Sequence, residues 1–136
     1  MMDTATLQKT LGELAADYVR RLNLRVESVE EEGVTLSMPV APELVHGGGV
    51  LCGQAIMSAA DTAMLVAMIA RIGEFKPMTT VQLQTSFLRP VLKETASVTI
   101  VGRVLRFGKT LSYGEIEFLA PDGKLVAHAT TTYALI

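Results

Sequence analysis

From Ala55 to Ile72 the chain is apolar on nearly every side, and one carboxylate, Asp61, stands near the middle. A helix apolar nearly all round must be covered on most of its faces. The run is long enough to raise a membrane-spanning interpretation. Ser58, Asp61 and Thr62 lie near its centre, where lipid makes polar groups costly, so a buried core helix is expected instead. The rest of the chain must supply the cover. Downstream it reads as consecutive strands joined by short turns, which favour antiparallel pairing. A curved antiparallel sheet wrapped around one long helix satisfies both demands, and the fold class expected is α+β.

The helix is expected over 53–73, with Gly73 closing it and Pro77 shortly beyond. Upstream, Leu7, Leu11, Leu14, Tyr18 and Leu22 recur at spacings of three and four, which predicts an amphipathic N-terminal helix within 1–23. Strands are expected over Leu24–Val29 and Val34–Pro39, with an acidic hairpin tip at Glu30-Glu31-Glu32 between them. Val81 to Phe87 alternates and bends at Arg89-Pro90. Val98–Leu105, Thr110–Leu119 and Leu125–Ile136 complete the set, with a bulge suggested near Gly114 and a turn at Pro121-Asp122-Gly123-Lys124. No linker or repeat divides the chain, so residues 1–136 are read as one domain.

Composition narrows the function. Hydrophobic residues make up 49% and charged residues 19%, the balance of a globular chain. The net charge of −2 and the lack of a basic stripe argue against nucleic acid as a partner. One cysteine excludes an intrachain disulfide and fits a reducing compartment. The segment Met1 to Thr6 has no basic stretch leading into an apolar run, so no signal peptide is expected and the location expected is cytoplasmic.

An ionised carboxylate in apolar surroundings is costly unless something pairs with it or uses it. Before the helix runs the loop His46-Gly47-Gly48-Gly49-Val50-Leu51-Cys52-Gly53-Gln54. A loop feeding a helix start offers free backbone N–H groups to developing negative charge. Gly53 lies near that start, and Asp61 eight positions later. At 1.5 Å per residue they are about 12 Å apart along the axis. A reacting carbonyl needs oxyanion donor and base within about 3 Å. One helix cannot supply both to one substrate, whereas two antiparallel helices across a two-fold axis can. A homodimer with two shared sites is expected.

The segments Phe87-Leu88-Arg89-Pro90, Val104-Leu105-Arg106-Phe107-Gly108-Lys109 and Asp122-Gly123-Lys124-Leu125-Val126-Ala127-His128-Ala129-Thr130, with the glycine loop and the helix Asp, carry a resemblance. Over about 24–136 the chain resembles the hotdog-fold acyl-CoA thioesterases of the phenylacetate-pathway type. That family pairs a His-Gly-Gly motif with a helix Asp about nine residues on. Matching on Asp61 puts Cys52 at the family His, Gly53 at the first Gly and Gln54 at the second. His46 then falls at the family Asn/Gln position. The literal string His46-Gly47-Gly48 lies about six residues too far from Asp61 to be that motif without an insertion. The departures at His46, Cys52 and Gln54 bear on activity and substrate.

The resemblance implies a hydrolase that needs neither metal nor redox cofactor, coenzyme A being part of the substrate. Asp61 would be general base or nucleophile, and the Gly53 amide the oxyanion donor. His46 would bond the carbonyl or the water, and Thr80 would orient water beside Asp61. Arg89, Arg103, Arg106 and Lys109 would meet the coenzyme A phosphates, and a homotetramer built from two dimers is common in such proteins. Two alternatives stand beside it. One is a binding module of the same shape that holds acyl-CoA without turnover. The other is a hydratase or dehydratase on 3-hydroxyacyl thioesters, with His46 working against Asp61 of a second chain. Against these stand plainer roles: His46 as a loop histidine, Cys52 as a small buried hydrophobe and His128 as a structural residue.

Overall fold

The structure, a computed structural model, describes residues 2–136. Helix α1 (Thr4–Leu14) opens at Asp3, whose carboxylate accepts a hydrogen bond from the Thr6 amide at 2.8 Å. It buries Leu7 and Leu11. The single N-terminal helix expected within 1–23 is two. The amphipathic spacing continues, but Ala15 and Ala16 take extended backbone and α2 (Asp17–Arg20) starts afresh. Arg20 explains the break. Its guanidinium donates to the carbonyls of Gly12 at 2.8 Å and Glu13 at 3.2 Å, capping α1 from beyond its end. The same group pairs with Asp17 at 2.7 Å. The turn lets Leu22 and Leu24 drop into the core.

Six strands follow: β1 (Arg25–Val29), β2 (Gly33–Pro39), β3 (Met78–Phe87), β4 (Ser97–Arg106), β5 (Leu111–Leu119) and β6 (Leu125–Leu135). All pair antiparallel in one sheet of order β1-β2-β4-β5-β6-β3. A 3₁₀ turn at Pro42–Leu44 and the glycine loop lead into α3 (Gly53–Ile72). The sheet curves around α3, whose Ala59, Ala60, Ala63, Met64 and Val66 are fully buried. The long apolar helix is thus the core helix of a curved antiparallel sheet, the hotdog arrangement.

Small residues set the distance between helix and sheet. A Cβ built on Gly114 would fall 2.3 Å from the Met64 sulfur, so only glycine fits there. The bulge expected near Gly114 is not in β5. Ser112, Gly114, Ile116 and Phe118 face inward in unbroken alternation. The slip is in β4, between Val104 and Arg106. What looks in sequence like a change of face is Leu111 and Tyr113 pointing outward into solvent, both more than two-fifths exposed.

The glycine loop is tied down rather than free. Leu51 donates to the Val91 carbonyl at 2.8 Å, Cys52 to Leu44 at 2.8 Å, and Lys93 to Gly49 at 3.0 Å. These bonds fix where α3 begins. Gly73 ends the helix at φ 92°, in the left-handed region that glycine enters without strain, and donates to the Ile69 carbonyl. Strand β3 pairs with β6 along one side only, so its other side is an open edge.

Candidate active site

Asp61 lies on the stripe of α3 that faces away from the packed core and toward β3 and β6. Its neighbours Ala59, Ala60 and Ala63 carry the buried face. The carboxylate is held rather than left bare. Thr80 of β3 donates from Oγ1 to Oδ1 at 2.6 Å. Tyr133 of β6 donates from its hydroxyl to the same Oδ1 at 2.7 Å, and lies equally close to the Asp61 main-chain oxygen. Thr80 and Tyr133 are register partners across β3 and β6, so the sheet presents two hydroxyls at one level. Beside them Val81 bulges out of β3, between Thr80 and Gln82. Among the described residues no hydrogen bond reaches Asp61 Oδ2. One oxygen is anchored and the other is available.

Tyr133 is 4% exposed. Burial above all raises its phenol well above the ordinary 10.0, and the negative charge of Asp61 adds to the rise. The phenol therefore stays protonated and stays a donor. Sequence reasoning missed Tyr133. Its only sequence signal is an aromatic hydroxyl at an inward strand position, which must find a partner when buried.

The start of α3 is the second part of the site. Cys52 supplies no side-chain cap, so the first amides of the helix keep free N–H groups. Leu51 and Cys52 have already spent theirs on Val91 and Leu44, which makes Gly53 the first free amide. It sits at the positive end of a 20-residue helix. A cavity of about 240 Å³ lies alongside, lined by Gly53 with Ile56, Phe87, Leu88 and Arg89. The Phe87 ring lies 3.4 Å from where a Cβ on Gly53 would stand.

The remaining candidates are dispersed. His46 folds onto its own loop, where Nδ1 accepts from the Gly48 amide at 2.8 Å and its carbonyl from the Gly49 amide at 2.9 Å. The neutral ring therefore carries its proton on Nε2. No hydrogen bond joins His46 to Gly53 or Asp61 among the described residues. Arg89 stands by the Gly53 cavity. Arg103 is on the outer face of the sheet and already paired, with Glu117 at 2.6 Å and Glu115 at 3.6 Å. The Glu117 bond is the main cause that pushes its basicity still higher. His128 meets Glu115 at 3.2 Å in the same cluster. Arg106 and Lys109 lie by the β4–β5 turn, at the other end of α3, where the Phe107 ring stacks under Arg71 at 5.0 Å. The four cations are thus not gathered within one chain. Nor does any group of three or more His, Cys, Asp and Glu among the described residues have an arrangement that could hold a metal ion.

The sequence profile of the Thioesterase superfamily matches residues 48–127, which include Asp61, Gly53 and Thr80. A candidate esterase of Saccharolobus solfataricus is 35% identical over 115 residues, covering 85% of this chain and 80% of that one. Another, of Thermoplasma acidophilum, is 25% identical over 116 residues, with 85% and 86% covered. A thioesterase of Haemophilus influenzae superposes with a TM-score of 0.88 at 20% identity, over 100% of this chain and 92% of that one. The Escherichia coli PaaI protein from the phenylacetic acid degradation operon gives 0.82 at 20% identity, over 99% and 96%. At that identity the two superpositions speak for the fold.

Proposed function

The chain belongs to the thioesterase superfamily, and we propose that it hydrolyses an acyl-CoA thioester to the free acid and coenzyme A at two sites shared between the chains of a homodimer. The observation that carries this is the Asp61 carboxylate, fixed through Oδ1 by Thr80 and Tyr133 with Oδ2 left open. A carboxylate held that way is oriented without being used up.

The chemistry runs as a balanced hydrolysis. Water attacks the thioester carbonyl carbon, and Asp61 Oδ2 takes one of its protons. The carbonyl oxygen becomes an oxyanion, stabilised by the Gly53 N–H at the positive end of α3. Collapse breaks the carbon–sulfur bond, and the departing thiolate takes up the proton that Asp61 holds. Thr80 spends its only proton on Asp61, so toward the water it acts as an acceptor. The nucleophilic variant has Oδ2 attack the carbonyl first, expel the thiolate and leave an anhydride for water to open. Single turnover in ¹⁸O water bears on the choice, because label in Asp61 requires the nucleophilic course with water opening the anhydride at the Asp61 carbonyl. We expect none there.

Two features support sharing the site between chains. Gly53 and Asp61 stand about 12 Å apart along one helix, too far for one substrate. The open edge of β3, a strand ten residues long, offers a place for a second copy to pair and bring the two α3 helices alongside in opposite directions. In that arrangement Arg106 and Lys109 of one chain approach the Arg89 end of the other, which gathers cations for the coenzyme A phosphates. Arg103, held by two carboxylates, is the weakest of the four for that task. A dimer of dimers would in addition cover Leu111 and Tyr113. The hydratase alternative loses support, since the His46 Nδ1 is occupied by the Gly48 amide.

A thiol-release assay over an acyl-CoA panel tests the proposal, with Asp61→Asn beside the wild type. The variant is expected to lose at least about 100-fold in kcat with an unchanged circular dichroism spectrum. Equal turnover by the two proteins would reject the assignment.

A further inference from the structure

A second cavity, of about 280 Å³, opens between α2, the 3₁₀ turn and the first two turns of α3. Leu22, Leu44, Cys52 and Ala55 give it apolar walls, and Arg21 and Glu43 on its lining offset each other in charge. Tyr18 reaches across its edge to Ser58, with 2.7 Å between the hydroxyl oxygens. Ser58 donates its single proton to the Gln54 carbonyl at 2.8 Å, so the phenol is the donor in the Tyr18–Ser58 bond. Tyr18 is 58% exposed, and core packing does not account for its position. That bond ties α2 to the catalytic helix directly over the cavity.

The place of this cavity is informative. Cys52 and Gln54 line it, while Gly53 between them lines the other cavity, the one that contains Arg89. A carbonyl oxygen resting on the Gly53 amide would have one cavity on either side. The Arg89 side carries uncompensated positive charge and suits the phosphate-bearing arm. The Tyr18 side is apolar and neutral overall.

We propose that the Tyr18 cavity receives the acyl group, and that Tyr18 is a specificity-determining residue closing its outer end; this rests on the thioesterase proposal above. Size then sets the substrate class. An apolar cavity of about 150 Å³ holds a benzene ring, so this one accommodates an aryl group with a short spacer or a straight acyl chain of about six to eight carbons. Long-chain acyl groups do not fit behind Tyr18.

The test is kcat/KM over a straight-chain series from acetyl- to hexadecanoyl-CoA, with benzoyl-CoA, for wild type, Tyr18→Ala and Leu44→Trp. Wild type should peak near octanoyl. Tyr18→Ala should raise the dodecanoyl-to-hexanoyl ratio about 10-fold or more by opening the end wall. Leu44→Trp, which fills the cavity, should lower the octanoyl-to-acetyl ratio by a similar factor. Unchanged ratios in Tyr18→Ala would overturn the proposal, and that exposed position keeps the test decisive even where Leu44→Trp fails to fold. If wild type releases no thiol from any substrate, it is the hydrolase assignment that fails. Calorimetric binding of the same series then reads the cavity alone. A chain-length optimum in Kd that Tyr18→Ala abolishes supports it, and equal affinity for coenzyme A and every acyl-CoA overturns it.

Discussion

Asp61 was legible because a charge stands out against alanines and methionines, and its cost demands an explanation. Its partners were less so. Thr80 entered through a resemblance, and Tyr133 lies 72 positions away, beyond any local pattern. Only the pairing of β3 with β6 brings the two hydroxyls to one carboxylate oxygen. Tyr133 also makes a prediction about pH. Its folded pKa is raised above the ordinary 10.0, so above that pH the unfolded chain binds fewer protons than the folded one. Stability contributed by the neutral phenol is full below pH 10.0 and drains away as pH rises further toward the folded pKa. Urea midpoints measured from pH 8 to about pH 11.5 should therefore fall at the alkaline end in wild type, and fall less in Tyr133→Phe. A parallel fall in both proteins would place the alkaline weakness elsewhere. Tyr133→Phe should also cost about 1–3 kcal/mol near neutrality, because it strips a donor from a partly buried carboxylate.

The existence and type of nearly every element followed from periodicity, and the errors have physical causes. The N-terminal helix divides because Arg20 satisfies the carbonyls at the end of α1, an interaction that hydrophobic spacing does not encode. The apparent change of face in β5 is a mismatch between two requirements on one strand. Gly114 must face inward under Met64, while Leu111 and Tyr113 on the alternate positions face outward. Glycine at an inward strand position is thus a statement about helix-to-sheet distance. Gly114→Ala should destabilise the protein by about 1–3 kcal/mol through overpacking against Met64. Gly12→Ala is the control, since a Cβ there meets nothing within 4 Å and α1 gains about 0.5–1 kcal/mol from alanine. Urea unfolding of the two variants should move in opposite directions. Movement in the same direction would mean that the sheet gives way at Gly114 without cost.

In the proposed mechanism a single copy of the chain holds both halves of the site and cannot bring them together. The free amide of Gly53 and the open oxygen of Asp61 lie on one rigid helix, eight residues apart, and a rigid helix does not fold back on itself. Packing within the chain offers no remedy, because Gln54 and Met57, on the stretch between them, turn toward solvent. The consequence can be tested by complementation. Proline is tolerated at the first position of a helix and has no N–H, and the extended backbone of Cys52 is what a following proline requires. Gly53→Pro thus removes the proposed oxyanion donor while leaving α3 in place, and Asp61→Asn removes the proposed base. Each variant alone should be inactive. In a mixed dimer one site inherits both defects, and the other pairs the intact glycine of one chain with the intact aspartate of its partner. Random mixing after denaturation and refolding should make half of the dimers mixed, each with one working site, and restore about a quarter of wild-type turnover. Sites confined to single chains would restore nothing at any mixing ratio, and full activity in a sedimentation-verified monomer would remove the shared geometry altogether.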